Sequence, residues 1–159
     1  MTRDEQRARA GETLDRWGRP DSVDPDAGFF GAAYRSWFRV EWEGLELIPR
    51  EGGALLVSNH AGLMPVDGGI IWHGIQKEIG RTVYMLAHHG FFRFPFAGKA
   101  LNRMGTVVAN PDNAHRLLHE DGNIVLVFPE GEKGPVKPKK EKYKLQRFGR
   151  GGFVETAMR

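Results

Sequence analysis

A chain of 159 residues, 40% apolar and 27% charged, is long enough for one domain with a buried core and has the make-up of a globular protein. No run approaches the roughly eighteen apolar residues of a membrane span. The absence of cysteine excludes disulfides, thiolate metal sites and cysteine nucleophiles. The net charge of +3 is modest but unevenly placed: residues 133–150 carry Lys133, Lys137, Lys139, Lys140, Lys142, Lys144, Arg147 and Arg150 against Glu141 alone. Such a segment suits phosphate groups or an anionic membrane surface, or else a solvated loop.

In chain order, Met1 to Glu5 is too charged for a secretion signal, which favours the cytoplasm. Residues 2–17 read as a charged helix, opening with Thr2 and Glu5 at capping-box spacing. A loop rich in Asp, Pro and Gly comes next, from Gly18 to Gly28. Phe30, Ala33, Tyr34, Trp37 and Phe38 recur at helical spacing. That helix reads as packed on the core, although aromatics interspersed with Arg35 and Arg39 also suit a membrane interface. Residues 1–39 thus form an N-terminal helical segment ahead of a domain spanning 40–159.

From residue 40 strands and helices alternate. Val40 to Ile48 reads as a strand, and Ala54 to Val57 as a short buried one. Residues 67–79 read as a helix, 82–86 as a strand, 96–104 as a helix, 106–108 as a strand and 112–120 as a helix. Ile124 to Phe128 is a buried strand stopped by Pro129. Gly151 to Arg159 opens an amphipathic helix with Phe153, Val154, Ala157 and Met158 on one face. This rhythm predicts an α/β domain with a mixed, largely parallel sheet and flanking helices. In such sheets functional groups gather at the carboxyl ends of the strands.

Two polar motifs fall at those ends. The first is Ser58-Asn59-His60-Ala61-Gly62-Leu63-Met64-Pro65-Val66-Asp67. A histidine after a strand and an aspartate entering a helix can form a base and its orienting carboxylate, provided the loop with Gly62 and Pro65 folds back. Otherwise Asp67 is a plain helix cap. The second is Phe128-Pro129-Glu130-Gly131-Glu132-Lys133-Gly134. There proline ends the strand, Gly131 permits close backbone approach, and backbone N–H groups with Lys133 can bind a phosphate. Read by itself it is a charged turn.

Taken together, and with Phe94-Pro95-Phe96-Ala97-Gly98 through Met104-Gly105 between them, the motifs resemble the glycerophosphate/lysophosphatidate acyltransferase family over residues 40–159. The resemblance implies an acyltransferase of phospholipid biosynthesis in which His60 is the general base and Asp67 orients it. Pro129, Glu130, Gly131 and Lys133 would bind the acceptor. It implies acyl-CoA or acyl-carrier protein as donor and a lysophospholipid or glycerol-phosphate acceptor. It further implies no cofactor, no metal, no nucleic acid, and a place on an anionic membrane surface at the inner face. No acyl-enzyme is needed, in keeping with the lack of a Gly-x-Ser-x-Gly elbow.

The chain departs from the family pattern in three ways. Six residues rather than four separate His60 from Asp67. Ala109-Asn110-Pro111 stands where an arginine is expected, which leaves Lys99, Arg103 or the basic segment to meet a phosphate. No fourth motif is present, so the domain is expected to be truncated at its C-terminus. Two rivals are a non-catalytic acyl- or lipid-binding module and a metal-dependent hydrolase on His60, Asp67, His88 and His89. The latter is disfavoured because adjacent His88 and His89 point to opposite faces of an extended segment.

Overall fold

The computed structural model describes residues 13–21, 24, 26, 29–60, 66–93, 95–131, 138, 144 and 151–158. Four strands form one sheet: β1 (Ala54–Val57), β2 (Val83–Ala87), β3 (Thr106–Val108) and β4 (Ile124–Val127). Their spatial order is β1-β4-β2-β3, and every pairing is parallel. The expected α/β domain is therefore present, with an all-parallel rather than mixed sheet among the described residues. β4 lies between β1 and β2 and is buried on both faces, as its unbroken Ile-Val-Leu-Val run requires.

The connecting helices are α1 (Phe29–Ala33), α2 (Val66–Ile79), α3 (Pro95–Arg103), α4 (Pro111–His115) and α5 (Gly152–Met158). A wider-wound turn extends α1 through Tyr34–Phe38 and another extends α4 through Arg116–Glu120. The chain crosses from β1 to β2 in one direction and returns from β3 to β4 in the other. Right-handed crossovers then place α2 and α4 on opposite faces. The side chains divide accordingly between the two faces. Val83, Met85, Ile124, Leu126, Ala54 and Leu56 pack against Trp72 and Ile75 of α2. Tyr84, Leu86, Val107, Val125, Val127 and Leu55 face Leu117 and Leu118, with Trp17 and Phe153 completing that layer.

Three expectations are corrected. Val40 to Ile48 is not a strand. The chain is irregular as far as Gly44, which has φ 76°, and Leu45–Leu47 forms a 3-10 turn. Trp42 instead docks onto α2 where Gly74 leaves room: a Cβ there would lie 2.3 Å from Trp42 Cζ2. Its Nε1 donates to Tyr34 Oη at 2.6 Å. Part of the helix expected over residues 2–17 lies outside the described residues, and Thr13–Trp17 is not helical: Leu14 bridges Pro20 and Arg16–Trp17 turn between them. There the Asp15 carboxylate accepts from the backbone N–H groups of Trp17 and Arg19 at 2.8 and 2.9 Å, the local competition with helix that aspartate favours. On α5, Thr156 is buried and Phe153 half-buried, while Val154 and Met158 are exposed, so the four apolar residues do not share one packed face.

The first segment is tied to the sheet by polar contacts. Tyr84 donates to Asp15. Burial, and then that carboxylate, push the Tyr84 hydroxyl well above its ordinary range, so it stays a protonated donor. Arg19 is buried and donates to Gln76 Oε1 at 2.5 Å. At the amino edge of the sheet, Arg81 donates to the carbonyls of Pro49, Gly52 and Gly122 at 2.6–2.7 Å, clamping the approaches to β1 and β4. In the aromatic helical segment Tyr34 is buried as expected, whereas Trp37 is 80% exposed.

Candidate active site

Because all four strands are parallel, their carboxyl ends share one edge of the sheet. β1 runs into Ser58-Asn59-His60 and β4 into Phe128-Pro129-Glu130-Gly131. Val57 lies opposite Val127, and the Ser58 N–H donates to Val127 O at 3.1 Å. The two motifs, distant in sequence, therefore emerge side by side.

Asp67 is the second residue of α2. Its Oδ2 lies 2.7 Å from His60 Nδ1, with the two side chains only 15% and 20% exposed. Its Oδ1 accepts from the Gly68 N–H at 2.8 Å, and the helix N-terminus favours a carboxylate there. The longer spacing thus does not prevent the contact. Residues 61–65, including Gly62 and Pro65, lie outside the described residues. With Nδ1–H assigned toward Asp67, Nε2 is the basic nitrogen, and it makes no hydrogen bond among the described residues.

The ring of Phe128 stacks on His60, with centroids 4.6 Å apart and planes 30° from parallel. Phe128 in turn fits against α2 at Gly68, where a Cβ would sit 3.4 Å from Phe128 Cε2 and 3.3 Å from Met85 Sδ. His60 is therefore held at one ring nitrogen by a carboxylate and on one ring face by an aromatic. Reading the motif as a phosphate turn passes over Phe128. The available clue is an aromatic placed directly after a buried strand.

Pro129 is buried, and Glu130 is half-buried with both carboxylate oxygens shielded from solvent. The turn closes through the Gly131 N–H, which donates to Phe128 O at 3.0 Å. Gly131 has a φ of 57°, which glycine supplies without strain, and a Cβ there would meet nothing within 4 Å. Lys133 lies outside the described residues, as does the basic segment apart from Pro138 and Lys144.

The missing arginine has a local explanation. Asn110 caps α4, its side chain accepting from Asn113 N at 2.7 Å, and Pro111 opens the helix. Lys99 and Arg103 sit on α3. The argument that His88 and His89 point to opposite faces also fails, because the chain turns into a 3-10 turn at His89–Arg93 and the two rings lie 4.0 Å apart. Even so, among the described residues no three His, Cys, Asp or Glu side chains group to hold a metal ion.

Comparison with known proteins agrees with this arrangement. The family model described as Acyltransferase matches residues 39–159. An uncharacterized protein of Mycobacterium tuberculosis is 46% identical over 139 residues, covering 86% of this chain and 38% of that protein. A Mycobacterium leprae protein is 44% identical over 138 residues, covering 86% and 36%. A bovine protein named DGAT1/2-independent enzyme synthesizing storage lipids is 27% identical over 122 residues, covering 77% and 36%. The chain thus spans under two-fifths of the length of these relatives. No solved structure matches. With the matched region covering the whole sheet and both motifs, the chain belongs to the acyltransferase family.

Proposed function

We propose that this domain transfers a fatty acyl chain from acyl-CoA or acyl-carrier protein to the hydroxyl of a lysophospholipid or glycerol-phosphate-type acceptor. On this reading it is a 1-acylglycerol-3-phosphate O-acyltransferase-like enzyme of phospholipid biosynthesis, working without a cofactor at the inner face of the membrane. No helix among the described residues is long and apolar enough to cross a membrane. The observation that carries the proposal is the 2.7 Å contact of His60 with Asp67 at the sheet edge that also bears Glu130.

In the proposed reaction, His60 Nε2 accepts the acceptor's hydroxyl proton while Asp67 stabilises the imidazolium. The oxygen attacks the thioester carbonyl carbon, the carbon–sulfur bond breaks, and the imidazolium returns the proton to the departing thiolate. Pro129, Glu130, Gly131 and Lys133 position the acceptor. A neutral glyceride acceptor is the second reading. It is favoured by the bovine relative's name and by Asn110 capping a helix where the family pattern has an arginine.

The test is CoA release and ester formation with lysophosphatidate, glycerol 3-phosphate, lysophosphatidylcholine and monoacylglycerol as acceptors. Ester from the phosphate-bearing acceptors supports the proposal. Ester from monoacylglycerol alone replaces it with the neutral reading, and acyl-CoA binding without CoA release would make the domain a binding module.

Phe128 allows a narrower prediction. Phe128→Ala removes the surface against which the His60 ring rests, so the ring can leave the attack geometry. Turnover is expected to fall about tenfold or more, with KM for the donor little changed. Phe128→Tyr keeps the stacked ring and is expected to restore most of the rate. Equal loss in both variants would mean that Phe128 serves packing rather than the alignment of His60.

A further inference from the structure

β2 ends at the same sheet edge as the candidate site, and the segment after it differs in character from the rest of that edge. The turn His89–Arg93 and α3 pack against each other. Phe92 is directed inward, its Cδ1 3.7 Å from where a Cβ of Gly98 would be. Its neighbours point the other way: Phe91 is 54% exposed and Phe96 is 87% exposed. Two phenylalanines held outward on a packed support are unusual for a surface facing only water.

The segment that carries them has charge of one sign. Residues 82–111 contain no Asp or Glu, while His88, His89, Arg93, Lys99 and Arg103 fall within them. Arg93 and Lys99 are exposed on the same turn and helix as the two phenylalanines. β2 is the second strand over from β1, a lateral offset of about 10 Å from the strand that delivers His60.

We propose that the turn His89–Arg93 and α3 form the protein's docking surface for an anionic phospholipid bilayer. Phe91 and Phe96 enter the boundary between headgroups and acyl chains, and Arg93 and Lys99 meet lipid phosphates. This deepens the proposed function and rests on its acceptor being a lipid. A surface of this kind would bring the carboxyl edge of the sheet to the plane where the acceptor's hydroxyl lies. Exposed apolar side chains with cations on the same turn and helix are complementary to that interface. Two phenylalanine side chains open to solvent favour a bilayer over an acidic carrier protein, which would need the cations alone.

The test reads vesicle binding without turnover, so its failure is separable from failure of the acyltransferase reading. Co-sedimentation of the chain is measured with phosphatidylcholine vesicles and with vesicles that also contain phosphatidylglycerol, across a salt series. Each of Phe91→Ala and Phe96→Ala is expected to weaken binding about tenfold. Arg93→Glu with Lys99→Glu is expected to remove the preference for phosphatidylglycerol. Leu47→Ala, at an exposed apolar residue ahead of β1, is the control expected to bind as wild type. As a second measurement, F96W is expected to show blue-shifted fluorescence quenched by brominated lipid. Wild-type binding by the Phe91→Ala/Phe96→Ala double variant, or an unshifted F96W signal, overturns the proposal. So does a loss confined to binding of acyl-carrier protein, which would assign the surface to that partner.

Discussion

Replacing His60 with alanine is expected to lower turnover by about a hundredfold or more while leaving affinity for the acyl donor nearly unchanged. The imidazole contributes when the acceptor's proton moves, so its loss falls on the chemical step. Asp67→Asn should lower turnover as well. An amide cannot stabilise the imidazolium as a carboxylate does, and it can turn its N–H₂ toward Nδ1 and reverse the tautomer. Because the two side chains act as a unit across a 2.7 Å contact, the double variant should lose little more than His60→Ala alone. CoA release under saturating substrate, with donor affinity measured separately, checks all three. Undiminished turnover in His60→Ala would remove this residue from the mechanism.

The largest expected effect on stability is that of Leu126→Ala. Leu126 is 1% exposed on β4, paired with Leu56 of β1 and Met85 of β2, and packs into the layer containing Trp72 and Ile75. Strands on either side and a helix above leave little freedom to collapse into the vacated space. The cost should be about 2–5 kcal/mol, a large part of the ~5–15 kcal/mol that holds a domain together. Leu47→Ala, removing the same atoms from an 82% exposed position, should cost under about 0.5 kcal/mol. Urea unfolding of both variants gives the comparison. Similar midpoints for the two would contradict the placement of β4 at the centre of the sheet.

Much of the local structure was legible in the residues. β3 falls at Thr106–Val108 as read, β1 at Ala54–Val57, and α2 and α3 lie within one residue of their expected ends. In β3 and α2 the apolar period and the eventual burial agree, whereas β1, read as buried, is half-buried with Val57 46% exposed, and Phe96 of α3 is 87% exposed. Val40 to Ile48 shows the opposite case. Its partial alternation resembles a strand, but Gly44 turns the chain and Trp42 gains more from the notch at Gly74 than from pairing at a sheet edge.

For the candidate site, the residue types and their placement after buried strands could be read directly: His60 after β1, Asp67 at the start of α2, and Phe128 to Gly131 after β4. How these groups meet is a property of the folded chain. The order β1-β4-β2-β3 sets His60 beside Phe128, and the contact with Asp67 spans six residues whose course no local rule dictates. Gly68 lets α2 lie close to Met85 and to Phe128, sixty residues later. Asn110 caps a helix. The physical reason is common to these cases. Strand and helix arise from interactions a few residues apart, whereas strand order, ring stacking and close approach depend on which distant surfaces bury each other.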